Sequence, residues 1–174
     1  MFLVLCQIVL SHPFSNFGLQ QVQQAWRSFK SSFDFTPHVT EDEGRPINEL
    51  ITDYSAKDDL AEIKYVHLDP MPPRRSSELR VDGLGFIKER IEGATADVIV
   101  KYGSFQLLSR TYDLCDEMQR ELNRTCPVEA GEFKDTVITK IPGYIFPGWY
   151  TIEATAKRTE DDKQIGKVIV HVRF

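Results

Sequence analysis

The sequence has no excess of basic charge and only one long apolar run. Its 174 residues include 21 Lys and Arg against 26 Asp and Glu, which gives a formal net charge of -5. Surfaces that bind nucleic acid are strongly basic, so we expect no nucleic-acid partner. Residues 2–10 are apolar except for Gln7, but a helix that crosses a bilayer needs about 20 such residues. The 41% hydrophobic content is typical of one globular domain with an appendage.

Motifs of catalysis and metal binding are also missing. The sequence contains no Gly-x-Ser-x-Gly elbow, no HExxH pair and no phosphate-binding loop. Gly83-x-Gly85 is half of a dinucleotide fingerprint, but a strand rather than a helix is expected after it, so we interpret it as a turn. The cysteines and histidines do not have the spacing of zinc ligands. We therefore predict no enzymatic activity, no cofactor and no metal site.

Cysteine is scarce, and its positions bear on the cellular compartment. Residues 2–10 have the length of a signal-peptide apolar region, and we predict a signal peptide over residues 1–18, with a buried strand or a misannotated start as alternatives. Its removal would remove Cys6 and leave Cys115 and Cys126 on either side of a polar loop. The spacing fits a disulfide and two unrelated free thiols equally well. Asn123 begins an N-glycosylation sequon in the same loop. Together these features favour the secretory route.

The remaining chain divides into a lead and a strand-rich part. Residues 19–53 have no sustained periodicity and become acidic and turn-like, so we predict a pro-segment or a loosely ordered lead. Residues 54–174 show period-2 alternation with turn signals between strands. This pattern predicts an all-β, immunoglobulin-like sandwich of seven or eight strands. The predicted strands are 60–68, 77–81, 86–91, 97–102, 105–112, 132–140, 149–158 and 167–174, with Asp82-Gly83 among the turns.

One turn region is unusually apolar. Residues 141–150, IPGYIFPGWY, place four aromatic side chains between two predicted strands, where polar loop residues are the rule. One interpretation is that these side chains close one end of the sandwich core. The other is that they line the mouth of an apolar cavity or contact a membrane interface, which Trp and Tyr favour.

Three stretches carry a resemblance to a known family. Residues 62–73 (EIKYVHLDPMPP), residues 96–117 (ADVIVKYGSFQLLSRTYDLCDE) with Cys126-Pro127, and residues 147–151 (PGWYT) follow one another in order. Together they resemble the ML lipid-recognition domain family, and within it the fungal phosphatidylglycerol/phosphatidylinositol transfer proteins. These are relatives of the sterol-binding Niemann–Pick lysosomal protein. The resemblance covers roughly residues 53–174.

The resemblance implies a sandwich with an apolar cavity between its sheets, which carries lipid between membranes without bond-making chemistry. It also implies that Cys115 and Cys126 form a disulfide. A second family disulfide would require cysteines near residues 53–55 and 166–167, where this chain has none. The implied location is the vacuole or lysosome lumen or the extracellular space.

From apolar character and strand parity we predict a lipid site. Ile145, Phe146 and Trp149 would form its portal, and the lining would include Val98, Val100, Phe133, Ile152 and Val170. Lys101, Arg110 and Lys140 could meet an anionic head group, or be ordinary exposed strand residues.

We therefore expect a monomeric, soluble carrier that touches membranes transiently and transfers phosphatidylglycerol, phosphatidylinositol or a sterol. The alternative is a secreted recognition module that binds lipid or protein without transfer.

Overall fold

The computed structural model describes residues 44–174, which form two antiparallel sheets. The larger sheet has the strand order β1-β2-β9-β8-β5-β6, and the smaller has the order β3-β4-β7. The elements are β1 (Arg45–Pro46), β2 (Ile51–Asp53), β3 (Ala61–Asp69), β4 (Glu78–Ile87), β5 (Ala94–Tyr102), β6 (Phe105–Asp113), α1 (Leu114–Leu122), β7 (Gly131–Lys140), β8 (Trp149–Arg158) and β9 (Gln164–Arg173). The all-β sandwich is thus confirmed, with nine strands in the described part instead of seven or eight.

Period-2 alternation in the long strands explains why two sheets pack together. Along β8 and β9 the burial alternates, with every second side chain inside, as the sequence pattern requires. Ile152 pairs with Val100 of β5 on one side and with Val170 of β9 on the other. The core therefore lies between the sheets and is formed by the inward side chains of both.

The predicted turn at Asp82-Gly83 is wrong. These residues lie inside β4, which runs without interruption from Glu78 to Ile87 and pairs with β7 along its whole length. Gly83 and Gly85 occupy inward, buried positions of this strand. A glycine in a strand usually signals a turn or a bulge, but here these two residues remove side-chain volume from the interior.

The polar loop between the two cysteines is instead helix α1. Asp113 caps its N-terminus and accepts hydrogen bonds from the N–H groups of Cys115 and Asp116 at 2.9 and 3.1 Å. Asn123 caps the C-terminus with a left-handed backbone conformation. The sequence contained a signal for this helix, because an Asp at the cap (Asp113) and an Asp in the first turn (Asp116) are typical of a helix start.

Residues 45–53 form a hairpin that joins the larger sheet through β2 and β9. The Arg45 guanidinium binds the buried Asp53 carboxylate at 2.7 Å and the Ile63 carbonyl of β3 at 2.6 Å. The Asn48 amide donates to the Val66 carbonyl at 3.0 Å. The sandwich therefore begins before residue 54, where the sequence placed its boundary. Residues 1–43, with the predicted signal peptide and most of the lead, lie outside the described residues.

The two ends of the sandwich differ in their connections. One end, which we call the loop end, carries residues 70–77, 103–104, 141–148 and 174. The opposite end, which we call the helix end, carries α1 and the connections β4–β5 and β8–β9. At the helix end, the Arg158 guanidinium pairs with Glu89 and Asp161 at 2.9 and 2.6 Å, so it links two of these connections.

Candidate functional site

The inward face of the larger sheet is a continuous apolar surface. Val100, Ile152 and Val170 lie side by side across three neighbouring strands, and Val98 begins the next row with Ala154 beside it. All five are buried, with at most 2% of their surface exposed. The structure therefore brings four of the predicted lining residues together, in a state in which the interior is closed to solvent at these positions.

Small residues occupy the centre of both inward faces. Gly83 and Gly85 lie on β4 of the smaller sheet, and Ala96, Ala154 and Ala156 lie on β5 and β8 of the larger sheet. Packed sheets usually lie about 10 Å apart with interdigitating side chains. Residues with little or no side chain at these positions reduce the side-chain volume that would otherwise hold the sheets together.

Phe133, the fifth predicted lining residue, lies on the smaller sheet. It pairs with Gly85 and is partly buried against the core. The Arg124 guanidinium lies 5.0 Å from the centre of its ring. Phe133 is near the start of β7, and residues 141–148 follow the end of that strand. It is therefore well separated along β7 from the predicted portal.

The structure divides the three predicted portal residues. Ile145 is 3% exposed and belongs to the core, Phe146 is half-buried, and Trp149 is 52% exposed. Tyr144, which the prediction left out, is 54% exposed. The loop end therefore presents an aromatic surface, for which Tyr144 and Trp149 are the most exposed residues, while Ile145 anchors the same loop inside.

Residues 141–148, which we call the aromatic loop, are held by the side chains of two tyrosines. The Tyr102 hydroxyl donates to the Pro147 carbonyl at 2.8 Å, and the Tyr150 hydroxyl donates to the Phe146 carbonyl at 3.1 Å. Burial raises the pKa of Tyr150 to about 12, and the neighbouring Tyr102 adds a smaller contribution to that shift. Its hydroxyl thus remains a donor over the whole physiological pH range.

A groove of about 570 Å³ lies beside the aromatic loop. It is lined by Pro73, Arg74, Arg75, Ser76, Gly143, Arg173 and Phe174. Arg75 donates to the Ile145 carbonyl at 3.1 Å, and the Arg173 guanidinium lies 5.9 Å from the centre of the Trp149 ring. We call this the arginine groove. Sequence reasoning missed it, although the adjacent pair Arg74-Arg75 after a proline turn was a usable signal.

None of the three basic residues that were predicted to meet a head group is among the residues that line the arginine groove. Lys101 is on the outer face of the larger sheet and pairs with Glu153. Arg110 lies 5.1 Å from the centre of the Tyr112 ring on β6, and Lys140 is exposed at the end of β7. The structure does not bring these three residues together.

The disulfide between Cys115 and Cys126 is confirmed, with 5.5 Å between the two Cα atoms. It ties the start of α1 to the segment that precedes β7. Asn123, the predicted glycosylation site, is exposed, and its side-chain oxygen accepts from Gln119 at 3.2 Å.

A serine hydroxyl occupies the region where the family's second disulfide was expected. The Lys167 N–H donates to Ser55 Oγ at 3.1 Å, and the Tyr54 N–H donates to the Lys167 carbonyl at 2.8 Å. Hydrogen bonds thus join the segment after β2 to β9 there without a covalent link.

Residues 44–174 also bear on two other classes of site. Within this range, no group of three or more His, Cys, Asp and Glu side chains could hold a metal ion. In the same range, no helix is long and apolar enough to cross a membrane.

Comparison with solved structures supports the fold. A Niemann-Pick type C2 protein from Japanese carpenter ant matches 68% of this chain and 96% of its own chain, with a TM-score of 0.52 and 13% sequence identity. At this low identity the likeness concerns the fold alone.

Sequence comparison is more specific. Phosphatidylglycerol/phosphatidylinositol transfer proteins of three organisms align with this chain. The relative from Yarrowia lipolytica is 31% identical, over 88% of this chain and 78% of its own length. The corresponding values are 39%, 68% and 66% for the relative from Neurospora crassa, and 33%, 81% and 82% for the one from Aspergillus fumigatus. Residues 54–174 match the family model of the ML domain. Because this match covers well over half of the chain, and the sandwich has the expected disulfide, the chain belongs to the ML domain family.

Proposed function

We propose that this protein is a carrier that transfers phosphatidylglycerol or phosphatidylinositol between membranes. The observation that carries the proposal is that relatives with this named activity align with 68% to 88% of this chain, at 31% to 39% identity. The apolar inward faces supply the environment that acyl chains need. The carrier binds and releases its cargo without breaking a bond.

The energetics require an interior that nearly matches a bilayer. Each methylene removed from water contributes about 0.8 kcal/mol, so two chains of about 16 carbons represent roughly 25 kcal/mol. The inward rows that contain Val100, Ile152 and Val170 supply an apolar surface. Because these residues are closed to solvent, loading requires the two sheets to move apart. The small residues at the centre of the interior lower the cost of that movement.

Entry is proposed at the loop end, where Phe146 and Trp149 flank the buried Ile145. An exposed Trp and Tyr at one end favour contact with the membrane interface. If the sheets part at that interface, the acyl chains can move from the bilayer into the interior without passing through water.

The experiment is transfer of fluorescent phosphatidylglycerol from donor to acceptor vesicles. The double variant Phe146→Ser with Trp149→Ser should transfer at least tenfold more slowly than the unmodified protein, with unchanged circular dichroism. The matched control, Tyr65→Ser with Phe86→Ser, removes two exposed aromatic side chains from the outer face of the smaller sheet. Equal rates in both double variants would contradict the portal. Binding of lipid without transfer by the unmodified protein would instead identify a recognition module.

A secretory location is part of the proposal. The Cys115–Cys126 disulfide favours an oxidising compartment, and the exposed Asn123 is accessible to glycosylation. The vacuole or lysosome lumen and the extracellular space both fit. Protein expressed in a eukaryotic host from the full sequence should lose mass on treatment with an N-glycosidase, and Asn123→Gln should abolish that loss. An unchanged mass for the unmodified protein would argue against the secretory route.

A further inference from the structure

We propose that the arginine groove binds the phosphate group of an anionic phospholipid and gives the carrier its head-group preference. This inference rests on the proposed function and adds a recognition site to it. The groove is formed by three separate segments: residues 73–76 after β3, Gly143 after β7, and Arg173 with Phe174 at the end of β9.

The charge of the groove fits a phosphate. Arg74, Arg75 and Arg173 are exposed, and among residues 44–174 none of them has a carboxylate partner within 4 Å. Guanidinium groups bind phosphate oxygens through paired hydrogen bonds, which makes Arg the preferred residue for this ligand.

Most other exposed arginines of the described chain do have a carboxylate partner, and Arg110, which lies over the Tyr112 ring, is the exception. Arg80 binds Asp82 at 2.9 Å, and Arg90 binds Glu92 at 2.8 Å. Arg124 binds Asp135 at 2.7 Å. Three adjacent guanidinium groups without such partners repel one another, so an anion bound between them is stabilised by all three.

The shape of the groove depends on a close approach between two loops. A Cβ atom at Gly143 would lie 2.3 Å from Ser76 Oγ, so a larger residue there would force the Ser76 hydroxyl away from its present position. Ser76 itself has a positive φ of 60°, an unusual conformation for a residue other than glycine. This conformation places its hydroxyl on the groove wall, where it can also donate to a phosphate oxygen.

The groove is next to the proposed portal. Arg75 donates to the carbonyl of Ile145 in the aromatic loop, and the Arg173 guanidinium lies 5.9 Å from the ring centre of Trp149, which follows that loop. A lipid that entered between the sheets at this end would have its acyl chains inside and its phosphate at the surface. The groove lies where that phosphate would emerge, and its volume is within the range of sites for small ligands.

The test uses the full chain and a charge-matched pair of variants. The triple variant Arg74→Gln, Arg75→Gln and Arg173→Gln removes the groove cations. The control, Lys57→Gln, Lys64→Gln and Lys134→Gln, removes the same charge from exposed residues elsewhere. Two quantities are measured: the affinity for glycerophosphoinositol, a head group without acyl chains, and the transfer rates of phosphatidylglycerol and phosphatidylcholine.

We expect each lost cation to weaken binding of the head group about fivefold, and thus the triple variant to bind it about 100-fold more weakly. The triple variant should also lose the preference for phosphatidylglycerol over phosphatidylcholine, because both lipids carry a phosphate and the groove cations favour the one with a net negative charge. The lysine control should keep both properties within about threefold. An unchanged head-group affinity or an unchanged preference in the arginine variant would overturn the proposal.

Two further outcomes separate this inference from the proposed function. If the unmodified protein transfers no lipid but binds glycerophosphoinositol through the three arginines, the carrier proposal fails and the groove remains an anion site. If inorganic phosphate alone competes with glycerophosphoinositol at equal concentration, the groove binds free phosphate and its assignment to a lipid is overturned.

Discussion

His171 shows how a single side chain makes the stability of the fold depend on pH. It lies on the outer face of β9, where its Nδ1 atom is 3.1 Å from Thr151 Oγ1. Burial lowers the pKa of His171, and the nearby Glu153 only partly opposes that shift. In the folded protein the ring therefore stays neutral at a pH at which the unfolded chain already binds a proton.

The direction of the resulting pH dependence follows from that difference. Below about pH 6.5, the usual histidine pKa, the unfolded state binds more protons, so stability falls as the pH falls through that value. His171→Gln should reduce the loss in urea midpoint between pH 7.5 and 5.0 relative to the unmodified protein. His67→Gln, at an exposed position of β3, should leave that loss unchanged. Identical losses in the two variants would refute the role of His171.

At the scale of elements, β4 and β8 decide how the interior is filled. The inward residues at the centre of β4 are Gly83 and Gly85, and those of β8 include Ala154 and Ala156. Strand β4 also shows a limit of the sequence prediction, because Asp82-Gly83 predicts a turn locally but lies inside a long strand. Period-2 alternation was strong enough to predict β5, β8 and β9, since their inward residues are Val, Ile, Tyr and Ala.

Ala154→Phe tests whether the interior serves the lipid. A larger side chain at this fully buried position should destabilise the fold by about 1–3 kcal/mol through overpacking and should occupy the space that acyl chains use. We expect native mass spectrometry to show a lipid adduct on the unmodified protein and its loss from the variant. Thr155→Phe adds the same ring on the outer face of β8 and should keep the adduct. An adduct that persists in Ala154→Phe would place the lipid elsewhere.

At the scale of the whole molecule, the two ends of the sandwich have separate chemistry. The loop end combines exposed Tyr144 and Trp149 with the arginine groove, whereas the helix end carries the disulfide, Asn123 and paired ions around Arg158. A carrier needs this separation, because a bulky glycan at the membrane-facing end would prevent contact with the bilayer.

This arrangement also marks the limit of sequence reasoning. The family motifs and strand periodicity predicted the sandwich, the disulfide and four inward-facing residues, because each depends on local pattern or on the resemblance. The arginine groove could not be predicted in the same way, since Arg75 and Arg173 are almost 100 positions apart and meet only after β9 closes the larger sheet. Burial of Ile145 beside the exposed Tyr144 likewise depends on the path of one loop.

The hairpin at residues 45–53 has a consequence for self-association. Its outermost strand, β1, is two residues long and contains Pro46, which has no N–H group to offer a neighbouring chain. Proteolytic removal of the lead up to Asp53 would delete both short strands and expose the unpaired edge of β9, including the His171 N–H group that now donates to Leu50. An exposed strand edge is a template for pairing with another molecule, so the hairpin protects the sandwich against aggregation.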